Sequence, residues 1–510
     1  MTRPTTTGKA QDLITFTRST TGTALAKISY GEELVTNGDF SSDSDWAGTN
    51  WSIIDESLNH AGTSFNVVFP SSSAGFVSGK LYTITLTKTG VGSIYFYYDG
   101  SPNFLNFSGV GTFTQTFIAG SNSSFFIGTS GDNYKIDNIS VKEVLYDQPD
   151  GTLQLFNHPI NKPRIEYDAE GNCLGLLVEE ARTNALTNSN GVFPSGGGAV
   201  LVKNASAPNG AQDAWTMTYS SGVGYTVPSG ASFISGTSYT FSFYFKRGTG
   251  TQQIWTLLYG SVFNNNGGNV VAIYDIESET ATISLSGATA NVQAVGNGWY
   301  RCSCSAIATA SSTASQQIYR QGATDTGKYD YVYGFQVEQG SFPTSYIPTS
   351  GSAVTRSRDI ASLAVSEFGF NKDQGTVVAE YIPSIVDNDV RGVFELSLSS
   401  SGVSNRVYSS TGNTKHWFVK SGGATVADFD LGTPDVNQLN KISGVYKKDD
   451  FAASLNGQAV STDTSGDVPV GIAKVFIGQI DSSFHINGHI KSVQYYPLRL
   501  SNAQLQALTS

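Results

Sequence analysis

The chain has 510 residues, of which 55 are glycine and only 14% charged, and a formal net charge of −11. That length suits roughly three domains, and a composition rich in Gly, Ser, Thr and Asn reads as strands joined by turns. The acidic balance excludes nucleic acid and anionic membrane as partners, since both draw their affinity from clustered Lys and Arg. By segment the charge is +2 over residues 1–32, −7 over 33–147, −4 over 148–354 and −2 over 355–510, so no segment is basic enough to grip a polyanion. The 25 Tyr and 29 Phe residues supply apolar bulk for several sandwich cores.

Residues 1–32 open with a Thr-rich tract and ITFTRSTTGTALAKISYG, which lacks a hydrophobic period. They are expected to form an extended arm that docks on other proteins. From 33 to 147 short alternating runs recur: YTITLTKTG, SIYFYYDG and YKIDNISVKEV, spaced as in a two-sheet sandwich. Residues 148–190 break the rhythm with Pro149, Pro159 and Pro163 and hold one hairpin candidate, Ile165 to Tyr167 returning as Leu174 to Val178. This segment reads as a structured linker.

A second strand-and-turn module runs from 191 to 354, with SYTFSFYFKRG and the closing YDYVYGFQVEQ. The third, 355–510, places Asn456–Gly457 and Asn487–Gly488 where type I′ hairpin turns are expected. It ends in the one predicted helix, LSNAQLQALTS, capped by Ser501. The fold class is therefore all-β: an N-terminal arm, tandem jelly-roll sandwiches, and a further sandwich ending in a short helix.

Cys173, Cys302 and Cys304 are too few for a disulfide framework and read as buried small hydrophobes. No stretch approaches the ~18 apolar residues of a membrane span, and the N-terminus lacks the apolar core of a signal peptide. The expectation is synthesis in a cytoplasm and exit by another route.

The strings ITFTRSTTGTALAKISYG, LGLLVEEARTN, GNGWYRCS and EQGSFPTSYIPTSGSAVTRSRD resemble those of tail fibre and head spike proteins of tailed bacteriophages. Residues 33–147 resemble a jelly-roll carbohydrate-binding module through LVTNGDF and IDNISVKEV. The C-terminal module resembles the concanavalin-like, laminin G-like family through FAASLNGQAV and HINGHIKSVQYYPLRLSNAQL. The resemblance implies a virion surface protein that adsorbs to bacterial polysaccharide or lipopolysaccharide, contacts other virion proteins through residues 1–32, and forms a homo-oligomer, commonly a trimer. A structural decoration protein and a polysaccharide depolymerase are the alternatives.

Sugar binding needs flat aromatic faces beside amides and carboxylates. The candidates are Trp46, Trp51 and Tyr97 in the first module, Tyr244 and Trp255 in the second, and His416 and Trp417 in the third. In the run Tyr95 to Tyr98, either Phe96 and Tyr98 are core and Tyr95 and Tyr97 lie outside, or the reverse. No cofactor is required; the resemblance implies a possible structural calcium at Asn37, Asp39 and Asp137, whose hard oxygens suit that ion. The acidic triplet Asp275, Glu277 and Glu279 reads as a polar turn, His485 and His489 read as surface turn residues, and no catalytic constellation is visible, so the chain is expected not to be an enzyme.

Overall fold

The computed structural model describes residues 14–510 apart from 63–64, 72–73, 91, 100–103, 123, 131–133, 221–223, 229, 252, 265–266, 321–325, 388, 399–403 and 412–415. The protein is all-β. Among the described residues α-helix is confined to Gly260–Phe263 and the C-terminal Asn502–Thr509. The latter is capped as its sequence predicts: Ser501 accepts from the Gln504 amide while the Gln504 side chain reaches back to the Ser501 amide.

Two compact units divide the chain: Lys27–Thr152, and the residues up to Ala26 together with Leu153–Ser510. In the smaller unit, the strands Gly111–Ile118, Leu81–Thr89 and Tyr134–Tyr146 pair in that order, and Tyr134–Tyr146 pairs onward with Gly22–Glu33. A second sheet runs Trp46–Gly48, Asn66–Pro70, Phe126–Ser130, Ser93–Tyr97, Phe104–Ser108. Alternation turns Leu58, Val68, Ile84, Leu86, Ile94, Phe96, Phe107, Ile127 and Val141 into a common core.

The larger unit holds two more sandwiches. In the first, Ser238–Arg247 lies between Trp299–Ile307 and Tyr329–Gln339. Its Phe241, Phe243 and Phe245 point inward onto Ile254, Tyr274 and Ile318 of the facing sheet. Cys302 and Cys304 belong to this core, and burial pushes both thiols up, Cys304 to about 12; Cys173, by contrast, is exposed. In the second sandwich, Gln374–Pro383 lies between Asn440–Lys447 and Gly488–Tyr496, over a core that includes Val377, Tyr381, Phe394, Trp417 and Ile442.

The 148–190 segment contains the expected hairpin, Ile165–Tyr167 with Cys173–Val178. That hairpin also extends the C-terminal sheet, since Leu176 pairs with Ile490. The free-arm expectation for 1–32 is corrected over its described part. Thr15–Thr17 pairs with Ile360–Ser362 and buries Phe16 in the C-terminal core, and Gly22–Glu33 is a twelve-residue strand. Its buried residues include Ala24, Leu25, Ala26 and Ile28, and three of these four are too small or too closely clustered to register as a hydrophobic period. Residues 1–13 lie outside the described residues.

The Asn456–Gly457 turn is as expected: φ is 47° and 72°, and the Gln458 amide closes on the Leu455 carbonyl. The second expected hairpin is not formed. Asn487 has φ 48°, but Gly488 begins a strand, where a Cβ would come within 2.3 Å of the Ile382 carbonyl oxygen. Close approach, and not a left-handed turn, is why glycine stands there.

Within the larger unit, five charged side chains from separated segments meet out of water. Arg18 Nη1 lies 3.1 Å from Asp359 Oδ1, Arg164 binds Asp359 Oδ2 and also Glu179 Oε2 at 2.8 Å, and Arg356 lies 3.4 Å from Glu179 Oε2. All five are 7% exposed or less. Ser345 adds two bonds to Glu179, from its amide and its hydroxyl, each 2.7 Å. Burial works against the ionised Glu179, but Arg356 and Arg164 hold its carboxyl well below the usual range. Burial and the neighbouring Arg164 draw Arg18 down to about 10.

Candidate functional site

The five strands Trp46–Gly48, Asn66–Pro70, Ser93–Tyr97, Phe104–Ser108 and Phe126–Ser130 contain no Asp, Glu, Lys, Arg or His. Since successive side chains alternate across a sheet, each strand sends one set into the core and the other outward. Ser93–Tyr97 settles the alternative left open by its sequence: Ile94 and Phe96 are fully buried, Tyr98 packs on the core, and Tyr95 and Tyr97 stand on the outer face.

Register then assembles an aromatic row. Tyr97 pairs with Phe126 on one side and Phe104 on the other. The Tyr97 and Phe126 rings stack at 4.5 Å with 12° between planes, Phe69 lies 5.4 Å from Phe126, and Phe104 lies 5.3 Å from Tyr97. Tyr95 meets the edge of Phe104 at 5.2 Å. Phe65 completes the surface by lying over Gly128, where a Cβ would come within 2.6 Å of its ring. Phe65, Phe69 and Phe104 remain 52%, 46% and 41% exposed.

This is a broad apolar face with hydroxyls at Tyr95 and Tyr97 and the exposed amide of Asn106 beside them. Such a surface can stack on the C–H faces of sugar rings while its polar atoms meet hydroxyls. At one end of the sheet the buried Lys88 donates to the Gly90 and Gly109 carbonyls at 2.7 and 2.6 Å, fixing the turns there; burial lowers its pKa.

Of the sequence candidates, Tyr97 alone belongs to this face. Trp46 packs on Phe40 and Phe125 and donates to the Asn37 carbonyl, and Trp51 packs on His60 at 4.8 Å. Trp255 is half-buried on its own sandwich against the edge of Tyr319. Three candidates are corrected to interior residues. Tyr244 is 3% exposed among Leu155, Tyr333 and Tyr346, His416 accepts the Leu431 amide on Nδ1 at 3.1 Å, and Trp417 is fully buried. The expectation failed at Trp417 because strand phase was unknown and its ring faces the core. It failed at Tyr244 because that ring, out of phase with Phe241, Phe243 and Phe245, points away from their core but is covered by Leu155, Tyr333 and Tyr346.

Phe65, Phe69, Phe104 and Phe126 were missed. The signal for Phe104 and Phe126 is in FLNFS and FIGTS, alternating strands without a charge, a pattern unusual for a solvated sheet face.

His485 and His489, expected at the surface, are 2% and 7% exposed; His489 Nε2 meets Glu166 at 2.7 Å. Asp275 caps its own turn by accepting the Glu277 and Ser278 amides. Asn37, Asp39 and Asp137 bond neighbouring turn groups, and among the described residues no group of three or more His, Cys, Asp or Glu is placed to hold a metal.

No family model matches this chain, and no curated protein matches it. Solved structures do. The tandem CBM22 domain of Paenibacillus barcinonensis Xyn10C matches at 10% identity and TM-score 0.21, over 61% of this chain and 98% of that one. Domains LG4-5 of mouse laminin alpha1 match at 11% and 0.21, over 66% and 94%. Trypanosoma rangeli sialidase matches at 9% and 0.23, over 92% and 85%. The last corrects the expectation that the chain is not an enzyme: a glycosidase is among its structural matches, and that exclusion is not retained. At these TM-scores none of the likenesses carries a ligand or an activity to this chain.

Proposed function

We propose that the chain binds carbohydrate through the outer aromatic face of its Lys27–Thr152 unit, as a surface fibre or spike of a tailed bacteriophage. One observation carries the binding reading: an aromatic row across adjacent strands, with no charged residue in any strand of that sheet. A solvated face normally alternates apolar with charged or polar positions, and exposed contiguous apolar surface marks an interaction site. The absence of charge selects an uncharged glycan segment. The virion assignment is supported by the motif strings, and multivalent display by the arithmetic of avidity: linking weak sites raises apparent affinity by about 10²–10⁴.

The test is binding of the full chain to a panel of neutral bacterial polysaccharides, measured as retardation in affinity gels, for the wild type, Tyr97→Ala and Phe126→Ala. Saturable binding to a neutral polymer that falls at least about fivefold in both variants, consistent with ~1 kcal/mol per stacked ring, supports the face. Binding unchanged in both, or absent from every polymer, overturns it.

A further inference from the structure

The first sandwich of the larger unit carries a groove of different chemistry, on the sheet that presents Ser238–Arg247. It has a volume of about 460 Å³ and is lined by Asn204, Gln212, Thr216, Lys246, Tyr329 and Tyr331 among others, a size suited to a small polar ligand. Register explains the assembly: Thr216 pairs with Tyr331, Tyr331 with Lys246, and Thr218 with Tyr329. Because Phe241, Phe243 and Phe245 point into the core, Lys246, one step out of phase, points outward.

The two tyrosines, at i and i+2 on one strand, share this face with their rings 5.4 Å apart at 71°, and both remain partly exposed. Asn204, Gln212 and Thr218 are exposed. Lys246 is the one charge among the lining residues. Its ammonium spends one donor on the Asn297 carbonyl at 2.8 Å, leaving capacity for a ligand since an ammonium has three.

We propose that this groove binds an acidic sugar, its carboxylate on Lys246, its ring against Tyr329 and Tyr331, and its hydroxyls on Asn204, Gln212 and Thr218. The chain then carries two glycan sites of opposite preference, one uncharged and one cationic, suited to a heteropolysaccharide that alternates neutral and acidic residues. The proposal rests on the reading of the chain as glycan-binding but uses a different unit, so either site can fail alone.

The experiment measures calorimetric binding of galacturonate, mannuronate and glucuronate oligosaccharides to the full chain, for wild type, Lys246→Gln, Tyr331→Ala and Tyr97→Ala, at low and high salt. The expected result is that at least one acidic oligosaccharide binds, weakens at least about tenfold in Lys246→Gln and Tyr331→Ala, weakens with salt, and is untouched by Tyr97→Ala. Acidic binding that survives Lys246→Gln, or is lost in Tyr97→Ala, overturns the groove, as does no binding of any acidic probe. The neutral-polymer loss in Tyr97→Ala reports separately on the aromatic face.

Discussion

Arg18 and Asp359, 341 residues apart in sequence, meet at 3.1 Å with both side chains fully buried. Asp359 also takes Arg164 on its other oxygen, so one carboxylate restrains two guanidinium groups.

Removing it takes the carboxylate from Arg18 and leaves Arg164 with Glu179 alone. Asp359→Asn is therefore expected to destabilise the larger unit by about 3–5 kcal/mol, the cost of breaking a buried pair. Arg18→Met should cost less, because three arginines face two acids and Arg18 is the one whose charge burial and Arg164 oppose. Urea unfolding followed by tryptophan fluorescence separates the two. An Arg18→Met loss equal to that of Asp359→Asn would refute this ranking.

A methyl group at position 128 has no space beneath Phe65. Gly128→Ala should tilt that ring off the face and weaken neutral-glycan binding, while lowering stability by only ~1 kcal/mol, since Phe65 can swing into solvent. Gel retardation beside a thermal melt reads both quantities.

Trp417 lies under Gly444, where a Cβ would fall 2.3 Å from the indole. Gly444→Ala should destabilise by about 1–3 kcal/mol through overpacking and Trp417→Ala by about 3–5 kcal/mol through the cavity it leaves. Neither should alter glycan affinity under conditions where the variants stay folded. A specific affinity loss in Trp417→Ala would restore it as a binding residue.

Burial lowers the pKa of His485 and His416 below the ordinary 6.5, against the opposing pull of Asp359 and Asp430. The unfolded chain then binds more protons, so stability is full above about 6.5 and falls as pH drops below it. Glu179 acts in a separate window: its contribution is complete above the ordinary 4.5 and is lost only in stronger acid. Urea midpoints between about pH 7.5 and 5 should decline, and His485→Gln should flatten the slope. A flat wild-type profile would count against buried neutral histidines.

The strand architecture was legible because its signals are local. Asn456–Gly457 needs positive φ at both residues, and Ser501 with Gln504 writes its own cap. The site was legible only in part: the run Tyr95 to Tyr98 leaves two alternatives for the outward pair, and the fold selects Tyr95 and Tyr97. Phe65 over Gly128 and Phe69 beside Phe126 arise from cross-strand register, which no single strand encodes. The buried charges were invisible for the same reason: nothing local to Arg18, Arg164, Glu179, Arg356 or Asp359 marks them as buried, and only distant segments bring them together.

That separation also orders synthesis in time. The strand Thr15–Thr17 pairs with Ile360–Ser362, and a ribosome adding about 5–20 residues per second produces those partners on the order of tens of seconds after the first strand emerges. Until then Phe16 and Arg18 have no native surroundings, and the larger unit closes only when most of its chain exists. Lys27–Thr152, whose paired segments lie within itself, is under no such delay, so the aromatic face forms on a nascent chain whose remaining core is still open.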